Sequence, residues 1–534
     1  MNFNKLSLIM SLAFVFCGQG LGAQEKVGGV EKLGTVRFPV SCSAQAQQQF
    51  NRAVAMLHSF WFPQAPKAFL AVSQTDPACA MAYWGIAISQ RGNPLVSAPA
   101  APALKRGWEA IEKAKAAGAQ SQRERDYISA MEVYYKDSDK LDHRTRVLAY
   151  ENAMGQMYVR YPEDVEAAVF YALAINEAIT VLPADKTHAR QFKAATILEK
   201  VLAKQSDHPG ALHYLIHSYD FPPLAAHGLP AAERYDAAAP SAPHALHMPS
   251  HIFSMLGMWQ ESIRSNKSAV ATAKTYVHAM DFMVYAYLQG AQDREAKRIL
   301  DESIALQKSG SGALDRTPTG AVLTVHTASA AIPARYVIER GAWAEAAALQ
   351  PQPTAAAADA ITYFTRAMGA ARRREITSAK KDLEQLQSLK GELLQSNDDY
   401  WAEQVDIQRK AAEAWVAHAE GKRAEALKLM RSAADLEDAS EKHVAMENRL
   451  WPMRELLGEL LLELNEPAQA LKEFEASLEN ARNRFRGLYG AGKAAERLGD
   501  RQKAKSFYEK LLAVSKHADT DRPELLEARA FLAK

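Results

Sequence analysis

Only three of the 534 residues are cysteine, which excludes a disulfide-dense scaffold and any zinc module built on thiolates. Neither sign of charge is in real excess: Lys plus Arg number 64 and Asp plus Glu 62, a formal net charge of +2. No nucleic acid is therefore expected as a partner, because such binders concentrate Lys and Arg. Beyond the N-terminus no apolar run approaches the ~18 residues that a membrane helix needs, so no stable membrane span is expected. Alternation of apolar and polar residues is scarce, which argues against strands. HExxH, P-loop, dinucleotide-binding and serine-elbow motifs are all missing, so no reaction follows from the sequence. Hydrophobic residues at 48% and charged residues at 24% place the chain among globular proteins.

The first distinctive segment is the N-terminus. Met1–Lys5 carries one positive charge, Leu6–Cys17 is continuously apolar and Gly18–Ala23 is small and glycine-rich. This is the pattern of a cleaved signal peptide over residues 1–23, and it implies a periplasmic or extracellular location. The apolar run is too short to cross ~30 Å of hydrocarbon, and bulky Phe16 fits poorly with lipidation at Cys17. Removing the leader leaves Cys42 and Cys79, either a disulfide or two buried thiols. An oxidising compartment favours the bridge, which would staple the N-terminal end of the fold.

Helical periodicity dominates the remainder, and it repeats. LLGELLLELNEPAQALKEF and GAGKAAERLGDRQKAKSFY align without gaps. Gly458 to Gly492, Ala470 to Ala504 and Phe474 to Tyr508 are each 34 residues apart. Ser262 to Ala296 repeats the step, and Ala346, Ala379 and Ala426 continue it with insertions near Lys308–Gly320 and Gln350–Thr354. The spacing and the small-residue/aromatic pattern resemble the tetratricopeptide repeat. The resemblance implies an all-α, right-handed superhelical solenoid of helix pairs, with about nine or ten pairs and a capping helix at the C-terminus. PHALHMPSHIF also resembles a segment of secreted bacterial proteins of this kind whose activity is undefined. The expected organisation is a lead-in over 24–44, helical repeats over 45–205, a histidine-rich centre over 206–307, repeats with insertions over 308–400, and C-terminal repeats with the cap over 401–534.

That centre is the least ordinary part of the chain. His213 and His217 stand i,i+4, as do His247 and His251, so each pair shares a helix face. His213 to His247, His217 to His251 and His244 to His278 are each 34 residues apart, and Asp281 and Tyr285 stand 34 beyond His247 and His251. Equivalent places in successive repeats thus present imidazole, carboxylate and phenol along one line. In the tetratricopeptide family the corresponding face of the first helix lines a concave groove. Helix axes ~8–10 Å apart would let imidazoles of neighbouring repeats converge on one ion. Two readings stay open. One is a groove that takes a protein, peptide or small ligand, with Tyr285, Asp220, Arg335 and His58 as further contacts. The other is a transition-metal site, zinc, copper, iron or nickel, on His213, His217, His244, His247, His251, His278 and Asp281, with the capacity to be a metal-dependent enzyme. His58 joins either site only if the superhelix curls over.

Overall fold

The computed structural model describes residues 31–312, 316–352, 355–444, 446 and 449–534. The leader and Cys17 lie outside these residues. Among the described residues there are twenty-five α-helices, α1–α25 in chain order, and no strand. None of these helices is long and apolar enough to cross a membrane. Lys32–Lys534 forms one compact unit.

Among the described residues consecutive helices pack as eleven pairs, more than the nine or ten expected. α16 (Val322–Ile338) packs instead on a short 3-10 segment, Trp343–Ala348. The last helix, Pro523–Leu532, closes the array.

Phe474 shows the packing device of the repeat. It lies in α22 (Pro467–Asn480) and is fully buried. A Cβ at Gly458 would stand 2.9 Å from its ring, and one at Gly490 2.3 Å. α21 (Met453–Glu463) and α23 (Phe485–Arg497) close on Phe474 because both positions are glycine. The turn inside a repeat uses one left-handed residue: φ is +68° at Gly257, +53° at Ala291, +60° at Asn465 and +77° at Gly499. Gly257 to Ala291 and Asn465 to Gly499 are again one 34-residue step.

The array winds back on itself. α1 (Ala44–His58) packs against α9 (Pro209–Ser218). A disulfide joins Cys42, just ahead of α1, to Cys79, the residue before α3 (Ala80–Ser89). The C-terminal repeats lie across α14 (Val277–Gln289) and α16. The Phe485 amide donates to Gln289 Oε1 at 2.9 Å and Trp259 Nε1 to the Asn483 carbonyl at 2.9 Å. Arg522 Nε donates to Asp293 Oδ2 at 3.1 Å, and Arg484 makes a bidentate pair with Glu455 at 2.9 and 2.8 Å. The first three of these contacts tie the C-terminal repeats to α13 (Trp259–Thr272), α14 and α15 (Asp293–Lys308).

Candidate metal centre

Three elements carry the histidines. α9 begins at Pro209, with the His208 side chain capping the Ala211 amide. α11 (Pro243–His247) and α12 (Pro249–Met255) form one helical course interrupted at Pro249, which has no N–H to donate. Met248 between them keeps φ −54° and ψ −35°, so His244, His247 and His251 stay in helical phase. His278 sits in the first turn of α14. All six imidazoles are buried, from 0% exposure at His213 and His247 to 7% at His217.

They do not form the single line of ligands that spacing suggested. They form two trios, His213–His217–His244 and His247–His251–His278, in each of which one nitrogen per ring lies within 4.8 Å of the others. In the first, His213 Nε2 is 3.1 Å from His217 Nε2 and 3.1 Å from His244 Nε2. In the second, His247 Nε2 is 3.1 Å from His251 Nε2. Two nitrogens bound at ~2.0–2.1 Å to one ion, with ordinary angles between them, stand about 2.9–3.4 Å apart.

The outer nitrogens decide which tautomer each ring holds. His213 Nδ1 donates to the His58 carbonyl at 2.6 Å. His251 Nδ1 donates to Asp220 Oδ2 at 2.9 Å. His247 Nδ1 donates to Asn266 Oδ1 at 2.6 Å, the amide being oriented by its own Nδ2 donating to the Ser262 carbonyl at 2.8 Å. With both Nδ1 protons spent outward, the neutral rings of His247 and His251 face each other lone pair to lone pair. No hydrogen bond satisfies that contact, whereas a cation does. His244 Nδ1 meets the Tyr276 hydroxyl at 2.8 Å, and His278 Nδ1 is buried without a hydrogen-bond partner. Burial lowers every one of these pKa values, to about 3 at His213 and about 4 at His247, and well below the usual range at His217, His244, His251 and His278. The six rings are therefore neutral at pH 7, as metal ligation requires.

A third group, His58–Glu166–His208, also has ligand-like proximity, but its hydrogen bonds are complete. His58 Nε2 donates to Glu166 Oε2 at 2.8 Å and His208 Nε2 to Glu166 Oε1 at 3.1 Å. Tyr214 donates to His58 Nδ1 at 3.0 Å, and the Ala211 amide to His208 Nδ1 at 3.2 Å. Burial alone would raise Glu166, but the two histidines outweigh it and hold the carboxyl at about 2. This network ties α1 to α9 and presents the His58 carbonyl to His213.

The remaining sequence candidates fall elsewhere. Asp281 lies outside both trios: its Oδ1 accepts from Arg335 Nε at 3.0 Å in a buried pair. Tyr285 is covered by the Arg335 guanidinium, 4.5 Å from its ring centroid, and Arg484 donates to its hydroxyl. Arg335 and Tyr285 thus join α16 and α14 to the C-terminal repeats. Asp220 and His58 are buried also: Asp220 meets His251 through its side chain and His217 through its amide, and His58 meets His213 through its carbonyl. Sequence spacing missed Phe60, Phe282, Asn266, Tyr276 and Lys442, which reach the trios from helix termini, second helices and a loop. Of these, only Phe282, four residues after His278, carries a local signal.

No protein-family model matches the chain, and no curated protein matches it. Many solved structures are distantly similar, three of which follow. The APC/C hetero-tetramer Cut9–Hcn1 shares 12% identity over 91% of this chain and 89% of that one, with a TM-score of 0.33. Naa15/Naa10 bound to HypK-THB shares 13% over 91% and 74%, with a TM-score of 0.25. A tetratricopeptide repeat protein from Parabacteroides merdae shares 12% over 66% and 100%, with a TM-score of 0.26. The fold is an all-α helical repeat of tetratricopeptide type. That statement rests on the helix pairs and their 34-residue step, and none of the three similarities bears on the histidines.

Proposed function

We propose that this chain is a metalloprotein holding transition-metal ions in two three-imidazole sites inside its repeat array. The contact between His247 Nε2 and His251 Nε2, 3.1 Å apart with both Nδ1 protons committed elsewhere, carries the reading. Three nitrogen ligands per ion leave a coordination position open, the arrangement of reactive rather than closed structural sites. Zinc, copper, iron and nickel all suit imidazole. A leader of signal-peptide pattern and the Cys42–Cys79 bridge support work in an exported, oxidising compartment.

The test is elemental analysis of the untagged full chain, as purified and after incubation with zinc or copper. The reading predicts up to two tightly held ions per chain, falling by one in His247→Ala. A chain that neither carries nor takes up stoichiometric metal overturns it.

A further inference from the structure

Resting on the metal reading above, the relation between the two trios says which ion and ligand they suit. Adding 34 to His213, His217 and His244 gives His247, His251 and His278. The trios are one constellation moved on by one repeat, and they abut. The rings of His244 and His247 are 5.8 Å apart and those of His217 and His251 6.1 Å.

Each trio has its own phenyl cap. Phe60 lies against His213, His217 and His244, with ring centroids 4.5, 6.0 and 5.8 Å away. Phe282 lies against His247, His251 and His278 at 4.7, 4.7 and 5.1 Å. Because the trios abut, one small ligand could reach ions held in both. Phe60 also lines a small cavity of about 10 Å3 with Phe62, Arg91 and Tyr214. A cavity of that size holds nothing larger than a water-sized or diatomic molecule.

Charge narrows the ion. No carboxylate belongs to either trio. The nearest, Asp220, is shared between His251 and Lys442, whose Nζ is 3.5 Å from its Oδ1, and Asp281 is paired with Arg335. Two dications would enter a buried interior in which Asp220 and Asp281 each already have a cation partner. Copper(I) brings half that charge and is satisfied by three imidazoles.

The geometry points to a coupled dinuclear copper centre that binds dioxygen between its two ions. Each copper(I) gives one electron to O2. The dioxygen becomes a bridging peroxide and the metals a copper(II) pair. No proton moves, no bond to protein breaks, and the total charge is the same before and after.

The untagged full chain, loaded with copper(I) under argon and then exposed to air, tests this. Expected are two coppers per chain, one O2 taken up per copper pair, and an intense near-ultraviolet charge-transfer band. The oxygenated sample should give no copper(II) resonance in electron paramagnetic spectra, since adjacent spins cancel. His278→Gln, which removes one ligand and keeps side-chain bulk, should lose the band and show an isolated copper(II) signal on oxidation. Two coppers per chain that take up no O2, or that oxidise to full-intensity separate signals, overturn the coupled centre and leave the metal sites standing. Retention of zinc against copper in competition overturns it likewise. Absence of any stoichiometric metal removes the underlying reading instead.

Discussion

His213 and His247 occupy the same place in successive repeats, and each donates its Nδ1 proton over 2.6 Å to a fixed oxygen, the His58 carbonyl in one case and Asn266 Oδ1 in the other. The two sites are thus oriented by different elements. One acceptor is backbone at the end of α1, held by the fold-back. The other is a side chain on α13 (Trp259–Thr272). They can be perturbed separately.

Asn266→Ala removes the acceptor of His247 alone. Loss of such an outer partner weakens metal affinity about 10–100-fold. A metal titration should show one weakened site and one unchanged, and Asn266→Asp, which keeps an acceptor oxygen, should restore most of the loss.

Phe60 has φ +49°, uncommon for a bulky residue, and its ring is 1% exposed against the first trio. Phe60→Ala should destabilise the fold by about 3–5 kcal/mol in denaturant titration. It should also speed removal of metal from the first site by a chelator, leaving the second site slow.

The metal-free protein should weaken in acid. His213 and His247 have folded pKa values of about 3 and 4 against 6.5 for a free imidazole. Between those values and pH 6.5 the unfolded chain binds more protons than the folded one, so stability is complete above pH 6.5 and falls as pH drops. Each such group contributes a slope of up to ~1.4 kcal/mol per pH unit. Bound metal should shift the loss to lower pH, read as denaturation midpoints with and without metal.

The Cys42–Cys79 bridge closes a separation of 37 residues, and α1 begins just after it. The double variant Cys42→Ser, Cys79→Ser should lose about 2–4 kcal/mol. Because α1 supplies the His58 carbonyl and leads into Phe60, the first site should lose affinity more than the second, seen in the same titration used for Asn266.

The repeat was legible because its step survives in residues that packing constrains: Gly458 and Gly492 must be small, and Phe474 and Tyr508 must fill space. The clustering of the histidines was legible for a related reason, since i,i+4 spacing and the 34-residue step are geometric. Their division into two trios was not, because Asp281 continues the line perfectly and only the distant Arg335 removes it. The burial of Tyr285 and Arg335 was not legible either: Arg484, Phe485 and Arg522 reach back about two hundred residues along the chain to α14 and its neighbours, and no local pattern announces such a contact. Phe60 escaped notice because α1 meets α9 only in three dimensions.

Anomalous diffraction from crystals of the metal-loaded full chain tests the central claim most directly. The account predicts two peaks, one among His213, His217 and His244 and one among His247, His251 and His278, each ~2.0–2.1 Å from three ring nitrogens. Metal found only at the surface, or no peak within either trio, would contradict it.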